Sequence, residues 1–275
     1  MDTCFPMQKF SVLLSLYKKE NPLYLRESLN SILGQTLPPD EIVLVLDGPL
    51  TEELESVVEE YAEHYPILKI VPLSENVGLG RALHEGMKHC SNELIARMDT
   101  DDVAKPDRFE KQLAIFTAHP DVDVCGAWIE EFVGSTHNVK SIKKVPEKHW
   151  EILRYAQKRC PINHPVVMFR KAALMSAGGY CHFLLEDYLL WAKMLMDGSK
   201  FYNIQESLLW FRSSSDMFAR RGGWRYLRNE IDFWVMARQR KFVSFPQMCV
   251  NIMVRIPVRL FPNRLRKWVY SFLRK

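Results

Sequence analysis

Several features that this chain lacks narrow its class before any motif is read. Its six cysteines include no Cys-x-x-Cys pair, so neither a zinc ribbon nor a dithiol redox site fits. Scattered thiols of this kind are expected to stay reduced in a cytosolic compartment. No uninterrupted run reaches the roughly 18 apolar residues that a bilayer-spanning helix needs, and Met1 to Lys9 lacks the apolar core of a secretory signal. Neither export nor membrane spanning is expected. Helix-turn-helix and zinc-finger spacings are missing, which argues against a nucleic-acid reader. Internal repeats and low-complexity segments are absent too. Acidic residues stop at Asp232: of 37 Lys and Arg, ten follow it, so the 27 before it face 33 Asp and Glu, a balance of −6. The net charge of +4 therefore belongs to a basic tail on a mildly acidic body.

The chain has 275 residues, 47% apolar and 25% charged, which suits one large α/β domain or a domain with an appendage. Short apolar runs at Phe10–Leu16, Glu41–Leu46, Ile67–Leu73 and Glu93–Met98 read as buried strands. They alternate with helical spacings at Leu23–Leu33, Thr51 onward and Gly78–His89. Thr51 is placed to cap its helix, with Glu52, Glu53 and Glu55 in the favourable first turn. This alternation predicts an open, mostly parallel sheet covered on both faces, with ligands beyond the carboxyl ends of its strands. Polar residues gather at those ends: Tyr17-Lys18-Lys19-Glu20, Asp47-Gly48, Glu75-Asn76-Val77-Gly78, and the tetrad Asp99-Thr100-Asp101-Asp102. Three carboxylates within four residues repel one another and suit a hard divalent cation that takes oxygen ligands.

The later pattern is looser. A helix (Arg108–Ala118), a strand (Val122–Ile129), a polar stretch (Gly134–Lys148) and a helix (Trp150–Lys158) lead to His164-Pro165 and a strand Val166–Phe169. Glu186-Asp187 then opens a helix to Met196. Strand signals follow at Phe201–Ile204 and Leu208–Phe211, and a long helix at Trp224–Gln239.

The ordered pieces Phe10 to Tyr17, Ser28 to Thr36, Val45-Leu46-Asp47-Gly48, Glu75 to Leu79, Asp99 to Asp102 with Pro106-Asp107-Arg108, His164 to Lys171 and Glu186 to Trp191 together resemble family 2 of the inverting glycosyltransferases. The likeness is to members that build O-antigen, capsule and exopolysaccharide, and it covers about residues 9 to 221. It implies the GT-A nucleotide-sugar fold, an α/β architecture with a Rossmann-like mixed sheet. It further implies a UDP-hexose donor (galactose or glucose), a polyprenyl-diphosphate-linked sugar acceptor, and a Mn2+ or Mg2+ ion. Donor contacts would fall on Leu16, Tyr17, Glu20, Asp47, Asn76, Gly78, Arg81, Asp99, Thr100, Asp101, His164, Arg212 and Arg220. Asp101 and Asp102 would face the metal, with the direct ligand left open between them. Asp187 would be the general base, its pKa raised by Glu186. Glu186-Asp187 as plain first-turn acids, and His164 as a packed core residue, are the simpler readings. Arg212, Arg220 and Arg221 would flank a loop closing over the diphosphate.

The absence of a Gly-rich, Arg-containing loop after strand one sets a sugar nucleotidyltransferase aside. A non-catalytic or nucleic-acid-binding α/β protein remains the alternative. The expected division is a catalytic domain over 1–223 (donor half 1–106, acceptor half 107–223) and a helical region over 224–275. In the tail, Val250 to Leu273 interleaves Trp, Tyr and Phe with arginines and is interrupted by Pro257 and Pro262. That suits the surface of an anionic bilayer at the cytoplasmic face, or packing on the catalytic domain.

Overall fold

The computed structural model describes residues 8–181, 183, 185–213 and 223–260. Phe10–Leu16 (β1) lies between Glu41–Leu46 (β2) and Leu94–Arg97 (β4), parallel to both, and Leu68–Pro72 (β3) continues the parallel half beyond β2. Helices Pro22–Leu33 (α1), Glu52–His64 (α2) and Leu79–His89 (α3) make the crossovers. Asn21 caps α1 through the Leu23 amide at 2.8 Å, and Thr51 caps α2 as its spacing predicts. β1 alternates between two cores. Val12, Leu14 and Leu16 enter one with α1 and α2, whereas Leu13 joins Val43, Val45 and α3 in the other. Burial on both faces explains the unbroken apolar strands.

Beyond β4 the sheet turns antiparallel. Met168–Arg170 (β8) pairs with β4 and with Val124–Val133 (β6). β6 is parallel to Phe201–Arg212 (β9), which carries Val103–Ala104 (β5) at its edge. The two strand signals at 201–211 thus form one strand, with its register shifted between Ala127 and Trp128 of the partner. The polar stretch after Gly134 contains a strand, Ser135–Lys143 (β7), paired with β6. His164–Val166 is a 3-10 turn rather than the start of a strand.

Arg108–Ala118 (α4), His149–Ala156 (α5), Lys171–Ser176 (α6) and Glu186–Met196 (α7) flank this half. Trp224–Gln239 (α8) and Phe245–Leu260 (α9) follow. α8 belongs to the same core: Phe233, Trp234 and Ala237 are buried with Tyr188 and Trp191 of α7, and the Tyr188 and Phe233 rings lie 4.3 Å apart. α9 is tied down by Asn251 Nδ2, which donates to the Gln157 carbonyl at 2.8 Å. Pro257 sits inside α9 instead of breaking it. It removes the hydrogen bond its N–H would make and crowds the carbonyl four residues back, at Met253. Pro262 and the rest of the tail lie outside the described residues. Among those described, no helix is long and apolar enough to cross a membrane.

Candidate active site

A cleft of about 750 Å3 opens at the carboxyl ends of β1, β2 and β4. The Asp47-Gly48 turn organises its first wall. Asp47 Oδ1 accepts the Val77 amide at 2.7 Å, while Oδ2 accepts the Gly78 amide at 3.1 Å and Asn76 Nδ2 at 3.0 Å. Gly48 has φ +87°, and a Cβ there would stand 2.6 Å from the Asn76 nitrogen. Only glycine lets the two loops approach so closely. Asp47 therefore shapes the 75–78 loop while lining the cleft.

The carboxylate loop is anchored from α1. Ser28 Oγ donates to the Asp99 carbonyl at 3.1 Å, Ser31 Oγ accepts the Ala104 amide at 3.0 Å, and Gln35 Nε2 donates to the Lys105 carbonyl at 2.7 Å. One ligand atom each from Asp99, Asp101 and Asp102 falls within 4.8 Å of the others. Asp99 is paired bidentately with Arg97, a guanidinium only 1% exposed. Asp101 faces the cleft, its carboxyl pushed up to about 6 by burial and then by Asp99. Asp102 is completely buried behind the wall. Its Oδ1 accepts the Arg212 amide at 2.8 Å, and its Oδ2 has no hydrogen-bond partner. Burial and the carboxylates of Asp101 and Asp99 hold Asp102 well above the usual carboxylate range. An orphaned buried oxygen beside two further carboxylates, with no thiolate or imidazole among them, fits a hard divalent cation.

At the opposite wall, α7 presents Glu186 and Asp187 in its first turn, with Trp191 and Leu195 buried behind them. Gly80 of α3 lets the preceding segment close in, since a Cβ there would lie 2.4 Å from the Cys181 carbonyl oxygen. Asp187 Oδ1 accepts the Tyr188 amide at 2.7 Å, and Oδ2 lies 3.8 Å from the Cys160 thiol. The raised acid is Glu186, pushed up to about 7 by burial and then by Asp187. Between pH 4.5 and 7 the folded state holds a proton there that the unfolded state has released. Stability therefore falls as pH rises through that interval and stays lower above it. Glu186→Gln is expected to melt above the wild type at pH 8 and to lose that advantage at pH 5, with about 3 kcal/mol as the upper bound. Equal melting differences at both pH values would contradict the shift.

Tyr17, Glu20, Asn76, Gly78 and Thr100 line the cleft as expected. His164 lines it too, but as a packed residue. Its Nε2 lies 2.9 Å from the Tyr180 hydroxyl, and burial holds the imidazole well below its ordinary pKa, hence neutral. Leu16 does not reach the cleft: its side chain is in the core, and its carbonyl accepts the Asp47 amide at 2.7 Å. Arg81 is exposed on α3 and is not among the lining residues. Arg212 lines the cleft as well. It ends β9, where Nε donates to the Asp101 carbonyl at 2.7 Å, Nη2 pairs with Glu27, and the guanidinium stacks 3.8 Å over Tyr24. It bolts the carboxylate turn in place. Arg220 and Arg221 lie outside the described residues.

Sequence reasoning missed Arg97, although a lone charge inside the run Leu94-Ile95-Ala96-Arg97-Met98 was a visible signal. It also missed Lys143, Arg159, Tyr226, Glu230, Arg255 and Arg259, which line the same cleft from β7, the segment after α5, and α8 and α9.

Parallel strands ending in a carboxylate loop, opposite a helix that offers two further acids, define a GT-A glycosyltransferase. Residues 11–176 match the family model described as glycosyl transferase family 2, and the chain belongs to that family and is a glycosyltransferase. It is 40% identical to the amylovoran biosynthesis glycosyltransferase AmsE of Erwinia amylovora, over 97% of this chain and 99% of the relative. It is also 40% identical to an Escherichia coli UDP-Gal:alpha-D-GlcNAc-diphosphoundecaprenol beta-1,3-galactosyltransferase, over 96% and 95% of the two chains. The mannosyltransferase PcManGT of Pyrobaculum calidifontis, solved with GDP-Man and Mn2+, shares the fold with a TM-score of 0.63 at 16% identity, over 96% of this chain and 80% of the other.

Proposed function

We propose that this enzyme transfers a hexose, with inversion, from UDP-galactose or UDP-glucose to a sugar carried on a lipid diphosphate, as a step in surface-polysaccharide synthesis. One observation carries the reading: Asp47, Asn76, Asp99 and Asp101 share a single cleft with Glu186 and Asp187. Donor binding and proton removal can therefore act on one sugar. The Escherichia coli relative, named for UDP-Gal and a diphosphoundecaprenol acceptor, supports the donor and acceptor classes and favours galactose.

In this reading the loop shaped by Asp47 and Asn76 receives the nucleoside, and Asp99, fixed by Arg97, faces the ribose. Asp101 and Asp102 would hold Mn2+ or Mg2+, with Asp101 the member that reaches the cleft. When bound, such an ion offsets the charge that develops on the departing diphosphate. Asp187 accepts the proton of the acceptor hydroxyl as its oxygen attacks the anomeric carbon. The bond to UDP breaks on the far side of that carbon, so one displacement inverts the centre. Glu186, pushed up to about 7 by burial and then by Asp187, is only partly ionised near neutral pH and stands beside the base rather than serving as it.

A peripheral place on the cytoplasmic face of the membrane accompanies this reading. It is supported by the exposed apolar residues Val250, Met253 and Val254 on α9 and by the basic composition of the chain after Asp232.

The test is a donor screen with purified protein and a synthetic lipid-diphosphate sugar, with and without chelator. UDP release and product are expected with UDP-galactose or UDP-glucose. Transfer is expected to drop at least about 100-fold in EDTA and to return with added Mn2+. Mn2+ should also raise the melting temperature of the wild type but not of Asp101→Asn. Full transfer in excess chelator would remove the metal from the mechanism.

A further inference from the structure

The cleft contains a second charged cluster that the reaction at Asp187 does not use. Besides Arg97 and Arg212 by the carboxylate loop, four basic side chains line the cleft: Lys143 from β7, Arg159 after α5, and Arg255 and Arg259 from α9. Glu230 of α8 braces two of them. It accepts Nε and Nη2 of Arg259, both at 2.7 Å, and lies 3.4 Å from Arg255 Nε. Arg255 also donates to the Asn251 carbonyl at 2.8 Å and to the Lys158 carbonyl. The other acids on this side are Asp187, beside Cys160, and Glu131, which accepts the Ser141 hydroxyl at 2.7 Å. Positive charge thus exceeds negative: burial lowers the Arg255 pKa, Glu230 and Tyr188 offset it, and Arg259 and Arg159 add smaller repulsions. Such crowding calls for an anion.

The cluster's place decides which anion. Arg159 immediately precedes Cys160, whose thiol lies 3.8 Å from Asp187 Oδ2, and Lys143 acts electrostatically on that same thiol. An acceptor hydroxyl poised on Asp187 therefore sets the rest of its pyranose ring beside these cations. A substituent at the ring's own anomeric carbon lies one sugar ring away from the attacking oxygen. Guanidinium groups bind phosphate oxygens in bidentate fashion without a metal.

We propose that Arg159 and Lys143, with Arg255 braced by Glu230, form the subsite for the acceptor's diphosphate. The proposal rests on the lipid-diphosphate acceptor named above. The donor's diphosphate leaves from the acidic side of the cleft, whereas the acceptor's diphosphate stays bonded to its sugar on the basic side. Opposite charge at the two sides keeps donor and acceptor from exchanging places.

The full-length enzyme can be assayed with two acceptors: GlcNAc α-linked to a lipid diphosphate, and the same sugar on a neutral alkyl chain. The wild type is expected to prefer the diphosphate acceptor. Arg159→Glu, at an exposed position where folding is not at stake, should raise KM for that acceptor about tenfold or more. Its donor KM and its KM for the neutral acceptor should hold, and Arg159→Lys should recover most of the preference. Lys143→Glu should act in the same direction. An equal loss on both acceptors, or none on either, would overturn the subsite. Weaker sedimentation of Arg159→Glu with phosphatidylglycerol vesicles, with acceptor preference intact, would assign the cluster to bilayer headgroups instead and overturn it as well. A wild type that uses both acceptors alike defeats this inference alone, whereas one that transfers to neither defeats the acceptor reading beneath it.

Discussion

Asp187→Asn is expected to lower kcat about a thousandfold while the donor still binds with unchanged affinity, as judged by calorimetry with UDP-sugar. The size follows from general-base catalysis, which contributes roughly 10²–10⁴ when a positioned carboxylate removes the proton in the transition state. The substitution is nearly isosteric. An Asn side-chain oxygen can still accept the Tyr188 amide that Asp187 Oδ1 accepts at 2.7 Å, so α7 should keep its first turn. What disappears is the basic oxygen that faces Cys160 across 3.8 Å. Glu186→Gln gives the contrast. Burial and Asp187 push Glu186 up to about 7, a value that would itself suit a base at neutral pH; with Asp187 as the base, losing Glu186 should still cost about tenfold or less. It should also move the acidic limb of the pH–rate profile. If Glu186→Gln proved the crippling change and Asp187→Asn the mild one, the two roles would be exchanged.

The parallel half of the sheet was legible because buried parallel strands write themselves as unbroken apolar runs, and polar residues follow each run directly. Asp47, Asn76, Asp99 and Asp101 all occupy the cleft for that reason. The Gly34-Gln35-Thr36 segment was visible as a motif but not as a device. Its purpose, tying α1 to the loop after the carboxylates through Gln35, needs the third dimension. The rest of the cleft was far less readable. β7 pairs only with β6 and is largely exposed, so it lacks the alternation that marks a half-buried strand, and Lys143 was lost with it. Arg255 and Arg259 looked like the charged face of a membrane-binding segment, because sequence spacing says which residues share a helix face but not what that face meets. Packing of α9 against the segment after α5 turns them toward the cleft. Arg212 lines the cleft from the end of β9, and its stacking on Tyr24 and Phe132, which spacing cannot show, fixes it there.

Arg97→Met should be the most destabilising single change at this site, and the reason revises how the carboxylate tetrad is read. Three neighbouring acids suggest a deficit of positive charge that only a metal ion can fill. The structure supplies part of that charge itself: Arg97 is buried and paired with Asp99, and Arg108 beneath it is completely buried, donating Nη2 to the Arg97 carbonyl at 2.7 Å. Crowding with Arg97, after burial, already holds Arg108 down to about 9, so the protein tolerates two guanidinium groups here only because the acids lie above them. Removing one partner of a buried pair typically costs 3–5 kcal/mol. The Asp99 side chain is 30% exposed and regains some water, which points to the lower end, about 3 kcal/mol, or roughly 6–12 °C in melting temperature. Asp99→Asn in the Arg97→Met background should recover much of that loss, since the uncompensated carboxylate is then gone. Mn2+ should stabilise the Arg97→Met protein more than it does the wild type, because the ion then stands in for the missing cation. Strictly additive melting losses in the double variant would show that Arg97 serves packing alone.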